Sequence, residues 1–314
     1  MLPLDLQLNG YKGVDFNAVE LSSHAMRHAC RAVQDDGGGQ FLATVITDRL
    51  DRMVVRIARL AELHRSDAEV AAAMVGIHVE GPFISPQQGF VGAHPAEYVL
   101  PAEIGAARAL VTAGDGLVRM VTLAPEYDAR LAVTRWLSNE GVVVSAGHCD
   151  PDTATLRAAI TAGLSAFTHL GNACPAVLHR HDNILQRVLA ADGLRWVMVI
   201  ADGVHLPPAL IRTIARVVGI DRLIAVTDAT AAGGMGPGRF SLAGQDVLVA
   251  DDGAAWASDR SHLVGSTASM GRVEDVLLLD VGFNQDEVPR VTRHNPRQAI
   301  GAELNDEPRV GSHT

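Results

Sequence analysis

Residues 142–169 read VVVSAGHCDPDTATLRAAITAGLSAFTH. An apolar, β-branched run from Val142 to Ala146 passes through Gly147 into His148. Asp150 suits a helix N-cap and Pro151 the first helical position, while Leu156, Ala159 and Ile160 recur on one helical face. Gly163 suits the helix end, and a second apolar run, Leu164 to Thr168, stops at His169. The stretch is therefore strand, helix, strand, and each strand delivers an imidazole at its C-terminal end. Two such strands joined by a helical crossover lie parallel in one sheet.

The same rhythm extends in both directions. Apolar runs occur at Leu4 to Leu8, Phe41 to Ile46, Val75 to Val79, Leu117 to Leu123, Val142 to Ala146, Leu164 to Thr168, Trp196 to Ala201 and Leu223 to Thr227, with helical periodicity between them. Eight strands of this kind predict an α/β chain closed into a (β/α)8 TIM barrel rather than an open doubly wound sheet. The barrel is expected to occupy residues 1–301 as one domain. The polar tail 302–314 is expected to fray.

Composition narrows the function. The chain has 314 residues, 48% hydrophobic and 20% charged, enough to bury a large core. A net charge of −10 without a Lys/Arg cluster argues against a nucleic-acid partner. The N-terminus lacks a basic, then apolar signal segment, and no apolar run is long enough to span a bilayer. Three cysteines without CxxC spacing predict neither a disulfide framework nor a zinc knuckle, which fits a cytoplasmic protein.

Active sites of such barrels form at the C-terminal ends of the strands. Here those ends carry Glu80, His148, His169, Asp202 with His205, and Asp228, while strand one carries Gln7 and Asn9 on one face. Glu80, His148 and His169 make a first shell for one divalent ion with a position left for water; Zn²⁺ suits this set best, and Fe²⁺ or Co²⁺ also suit it. Asp228 would act first as general base and then as general acid. Singly, each residue has a plainer use: a strand-end histidine as a hydrogen-bonding group, Asp228 as a helix cap, Glu80 facing solvent. It is their coincidence on separate strand ends that favours a metal-dependent hydrolase.

Several motifs in order carry a family resemblance over nearly the whole chain: DLQLNG at 5–10, GIHVEGPFIS at 76–85, SAGHCD at 145–150, FTHLGNACP at 167–175, IADGVH at 200–205, AVTDAT at 225–230, LVGSTASM at 263–270 and HNPRQAIG at 294–301. They resemble the N-acetylglucosamine-6-phosphate deacetylases of the amidohydrolase superfamily. The resemblance implies hydrolysis of the N-acetyl group of an amino-sugar phosphate to acetate, with Glu80, His148 and His169 as metal ligands and Asp228 as the catalytic acid/base. It further implies that Ala93, His94, Asn172 and Ala173 contact the sugar, that His205 contacts substrate and assists the carbonyl, and that Arg180 binds phosphate by reaching a neighbouring subunit in a homodimer.

Gln7 and Asn9 stand where most amidohydrolases carry the HxH pair of a second metal, so one metal per chain is expected. The small β-sandwich domain usual in relatives is not apparent in the sequence. Gly171 replaces an aromatic, and RHDN at 180–183 replaces REPG. Two other readings stay open: a different amidohydrolase reaction, such as cyclic amide hydrolysis or deamination, and a non-catalytic sugar-phosphate binding barrel.

Overall fold

In the computed structural model, which describes residues 1–242, 245–260 and 262–302, the apolar runs become eight parallel strands in the order of the chain. They are β1 (Leu4–Leu8), β2 (Gln40–Ile46), β3 (Met74–Glu80), β4 (Val118–Leu123), β5 (Val143–Ala146), β6 (Leu164–Phe167), β7 (Trp196–Ile200) and β8 (Leu223–Val226). Each expected strand is present to within one residue at either end, because the runs end where the ladder does. The tail expected to fray lies, apart from Ala302, outside the described residues.

Alternation along the strands sorts side chains into two cores. Leu4, Leu6, Leu42, Met120, Trp196 and Met198 fill the barrel interior, and Ala299 and Ile300 pack against them. Ile77, Val79, Val121, Val144 and Val199 face the surrounding helices. Nearer the strand ends the interior turns polar: Ser145 and Thr168 hydroxyls lie 2.7 Å apart, Thr168 and Thr122 likewise, and Thr122 Oγ1 is 2.7 Å from His78 Nε2. His78 Nδ1 donates to the Leu6 carbonyl at 3.1 Å, so its Nε2 accepts and the hydroxyls all donate in one direction.

One extra residue in β1 sets the site. Asp5 pairs with Phe41 and Leu8 with Ala43, so three steps on β1 oppose two on β2. This bulge reverses the parity: Leu4 and Leu6 point inward, and so do Gln7 and Asn9, which reach Glu80 and Asp228. Strict alternation would have sent Asp5 inward with them. Asp5 instead lies at the seam between β1 and β8, where no continuous ladder forms among the described residues. Its carboxylate accepts from Thr227 Oγ1 at 2.5 Å and from the Gln7 and Thr227 N–H groups at 3.2 and 3.3 Å. Two backbone bonds finish the closure, Asp228 N–H to Gln7 O at 3.0 Å and Asn9 N–H to Ala229 O at 2.7 Å.

The helix after β5 corrects one expectation. It spans Thr153–Thr161 and its N-cap is Asp152, which accepts from Thr155 N–H at 2.7 Å. Asp150 is engaged elsewhere: its N–H donates to Glu126 and its carboxylate binds Arg187 at 2.7 Å. Gly163 follows the helix with φ of 114°, and a Cβ there would meet Ser138 Oγ at 2.3 Å.

After β8 the chain makes a three-stranded antiparallel sheet, β9 (Gly238–Leu242), β10 (Gln245–Val249) and β11 (Ala255–Ala257). Val247, Val249 and Ala255 of this sheet cluster with Val264, and Ala93 packs against them, so the flap sits beside the barrel mouth. Among the described residues no helix is long and apolar enough to cross a membrane.

Candidate active site and metal centre

Glu80 is the last residue of β3, turned inward because Ile77 and Val79 face the helices. His148, His169 and Asp228 each stand two residues beyond a strand, in left-handed backbone with φ of 52°, 35° and 51°. Such conformations are costly for residues with a Cβ and concentrate at functional sites. The sharp turn lets a side chain leave the wall of the barrel and project over its mouth.

Three ligand atoms converge. Glu80 Oε1 lies 2.9 Å from His169 Nε2 and 3.3 Å from His148 Nε2, all three side chains are buried, and their ligand atoms lie within 4.8 Å of one another. Ligands at ~2.1 Å from a tetrahedral ion stand roughly 3.4 Å apart, so the set fits a Zn²⁺-sized cation. His148 Nδ1 donates to Phe90 O at 2.9 Å, which fixes the ring with Nε2 toward Glu80. His169 Nδ1 is buried without a partner. A Cβ at Gly92 would come within 3.1 Å of His148 Cε1, so the loop carrying Ala93 and His94 passes the ligand as glycine.

The charges follow from this packing. Burial alone would raise Glu80, but the bonds and charges of His148 and His169 outweigh it and hold the carboxyl well below its ordinary value. For His169 the bond to Glu80 likewise outweighs burial and raises the imidazole. Asp228 moves up to about 6, chiefly by burial and then by the Glu80 charge. Its Oδ1 accepts from Asn9 Nδ2 at 2.7 Å. Gln7 Nε2 donates to Glu80 Oε1 at 2.9 Å. His205 Nδ1 lies 2.6 Å from Asp202 Oδ2, and Asp202 Oδ1 accepts from two backbone N–H groups, so a fixed carboxylate orients the ring.

Asn9, Glu80, His148, His169, His205 and Asp228 line a cleft of about 670 Å³, together with Ala93, His94, Asn172 and Ala173. Gln7 lies beneath its floor. Arg180 is not brought to it: the side chain is exposed on the loop after β6, beside His181 at 3.1 Å. No family model matches the chain. An N-acetylglucosamine-6-phosphate deacetylase from Bos taurus is 33% identical over 308 residues, which covers 96% of this chain and 74% of the relative. The chain belongs to the N-acetylglucosamine-6-phosphate deacetylase family.

An N-acetylgalactosamine-6-phosphate deacetylase from Escherichia coli O157:H7 is 28% identical, covering 96% of this chain and 77% of that protein. Among solved structures, a D-to-A mutant of the Mycobacterium smegmatis N-acetyl-D-glucosamine-6-phosphate deacetylase, in complex with N-acetyl-D-glucosamine-6-phosphate, superposes with a TM-score of 0.86 at 32% identity, covering 96% of this chain and 77% of that one. The chain thus spans about three quarters of the length of these deacetylases.

Within this deacetylase site, several residues escaped the sequence reading. His78 sits two residues before Glu80 on the same strand face, so alternation alone would have placed it in the interior. Thr47 and Gln88 come from loops whose fold the sequence pattern does not specify. His262 and Leu263 reach the cleft after the flap, 34 or more positions beyond Asp228 in the chain, and only tertiary folding brings them there. Gly171 has φ of 96° and a Cβ there would meet Leu206 at 2.7 Å, so the loop shape itself calls for glycine at this position.

Proposed function

We propose that the chain hydrolyses the N-acetyl group of an N-acetylhexosamine 6-phosphate to acetate and the free amine, from one catalytic barrel at residues 1–301. What carries the reading is the convergence of Glu80, His148 and His169 within 4.8 Å at the floor of the cleft, in a chain of this family, with Asp228 on the same cleft. N-acetylglucosamine 6-phosphate is the substrate proposed first, since it is named for the Bos taurus and Mycobacterium smegmatis relatives.

Glu80, His148 and His169 would hold one divalent ion, Zn²⁺ first and Fe²⁺ or Co²⁺ as alternatives. Bound there, the ion would supply Lewis acidity, lowering the pKa of water and polarising the amide carbonyl. Asp228 takes the proton from the attacking water as the C–O bond forms, then returns it to the amide nitrogen as the C–N bond breaks. Burial raises the Asp228 carboxyl, which makes it a stronger proton acceptor than an exposed carboxylate. Asn9 restrains the carboxylate through one oxygen. Asp202 fixes His205 through Nδ1, which leaves Nε2 for a substrate oxygen. Ala93, His94, Asn172 and Ala173 line the wall where the sugar would lie.

Arg180 is assigned to the substrate phosphate in the cleft of a second copy of the chain, which its exposure outside its own cleft favours. A homodimer follows from that assignment. Three free cysteines accord with a cytoplasmic location. The test is acetate release from N-acetylglucosamine, N-acetylgalactosamine and N-acetylmannosamine, each with and without 6-phosphate, run beside metal analysis. Release from a 6-phosphate sugar is the expected result. No acetate from any of them, with turnover of a cyclic imide or ureide, would transfer the site to another amidohydrolase reaction.

A further inference from the structure

His94 shares the metal centre without belonging to the ligand set. Its ring is buried edge-on to His148, with centroids 4.3 Å apart, and Nε2 lies 3.8 Å from Glu80 Oε2. The other ring nitrogen is held by one residue, Thr47. Thr47 N–H donates to His94 Nδ1 at 3.3 Å, and Thr47 Oγ1 lies 2.8 Å from the same atom. A ring nitrogen that accepts a backbone N–H carries no proton. His94 is therefore neutral with its proton on Nε2, and the Thr47 hydroxyl, which lies 2.8 Å from Nδ1 and 3.5 Å from the Glu80 carbonyl, gives its proton to the nearer of these two acceptors.

The surroundings make Thr47 a rigid support. It follows the end of β2 directly, and the next residue, Asp48, pairs with buried Arg56 at 2.7 Å, tying this corner to the helix Leu50–Ser66. On the other side, a Cβ at Gly81 would fall 2.1 Å from Thr47 Oγ1. Glycine after Glu80 therefore leaves room for the hydroxyl, and the sequence around the Glu80 ligand is fitted to the threonine.

We propose that Thr47 is a positioning residue that fixes His94 as its Nε2–H tautomer, so that the cleft offers a neutral hydrogen-bond donor to a substrate oxygen beside Glu80. The tautomer stands on geometry alone, and only its use toward a substrate rests on the deacetylase reading. A donor beside a carboxylate discriminates between ligands in a way an acceptor does not: an oxygen of the sugar or its phosphate gains a partner there.

The experiment uses the full-length, metal-loaded protein with ¹⁵N-labelled histidine, the His94 signals being assigned by their loss in His94→Asn. His94 should show a protonated Nε2 and an unprotonated Nδ1. Thr47→Val removes the hydroxyl at nearly constant shape. It should shift the His94 Nδ1 signal and raise KM for the sugar phosphate by roughly tenfold, the worth of one hydrogen bond, with kcat changed by less. Thr47→Ser, which keeps the hydroxyl, should restore both. Equal metal content in all variants shows that the site still folds. A proton on Nδ1 in the parent, or a valine variant with parental spectrum and KM, overturns the proposal. If no N-acetylhexosamine phosphate is turned over, the deacetylase reading fails, and the response of the spectrum to Thr47→Val decides the role of Thr47 by itself.

Discussion

Asn9 Nδ2 donates to Asp228 Oδ1 at 2.7 Å, joining the first barrel strand to the residue just past the last one across the seam that the strand ladder leaves open. The bond restrains the carboxylate assigned to proton transfer without supplying a charge to it. Asp228→Asn keeps the shape but removes the base, so turnover should fall by about 10²–10⁴-fold, while bound metal stays at the parental level. Asn9→Ala should cost far less, roughly tenfold, because the carboxylate is loosened and not lost. Steady-state kinetics beside metal analysis separate the two, and near-parental turnover in Asp228→Asn would remove Asp228 from the mechanism.

Glu80 accepts from Gln7 and faces two imidazoles through one oxygen. Gln7 and Asn9 bring amides where an imidazole pair would hold a second ion, so purified protein should contain one metal per chain. Glu80→Ala and His169→Ala should each release it. Chelation should abolish activity, added Zn²⁺ should restore it, and the metal-free protein should melt lower. Stabilisation by an ion at 100 times its Kd is about 2.7 kcal/mol. Full metal occupancy in the Glu80→Ala/His169→Ala double variant would show that the ligands lie elsewhere.

For His205 the support is Asp202. Burial alone would raise the Asp202 carboxyl, but the His205 ring and two backbone N–H groups outweigh it and keep it ionised. Asp202→Asn leaves an amide that can present either its oxygen or its NH₂ to Nδ1, so the ring loses its fixed tautomer. The expected loss is roughly 10- to 100-fold in kcat/KM with metal content unchanged, which is the usual scale for an orienting partner. Parental kcat/KM would mean that His205 acts, if at all, without its carboxylate.

Most of the strands were legible because they are buried on both faces and read as near-continuous apolar runs, and a run ends where its residues meet solvent or chemistry. For that reason Glu80, His148, His169 and Asp228 could be found as polar residues beyond apolar ones. The bulge in β1 was not legible. DLQLN alternates perfectly, so nothing local says that Asp5 leaves the face on which Gln7 and Asn9 stay. The helix cap moved from Asp150 to Asp152 because both are good caps and the choice was made by Glu126 and Arg187, which come from other parts of the chain. Thr47 could not be singled out for a similar reason: its partner His94 is 47 residues away, and a threonine after a strand has no signature of its own.

Asp5 offers a test of the seam itself. Burial pushes its carboxyl up to about 7, against the opposing effect of the Thr227 bonds. Between pH 4 and 7 the folded protein therefore holds a proton that the unfolded chain has released, so this group's contribution is full at low pH and is lost as pH rises through about 7. The slope it can impose is at most about 1.4 kcal/mol per pH unit. With the proton on Oδ2, the carboxyl donates to Thr227 Oγ1, and that hydroxyl can turn to Gln7 O at 3.4 Å. An asparagine in place of Asp5 would reproduce this arrangement with its NH₂ group and would not titrate. Asp5→Asn should therefore match the parent near pH 4, gain on it as pH rises to about 7 and keep a constant lead above that, measured by urea unfolding at fixed metal concentration. Parallel stability curves for parent and variant would show that Asp5 is ionised in the folded barrel throughout, and that the seam is closed by charge-assisted bonds to Thr227 and not by a shared proton.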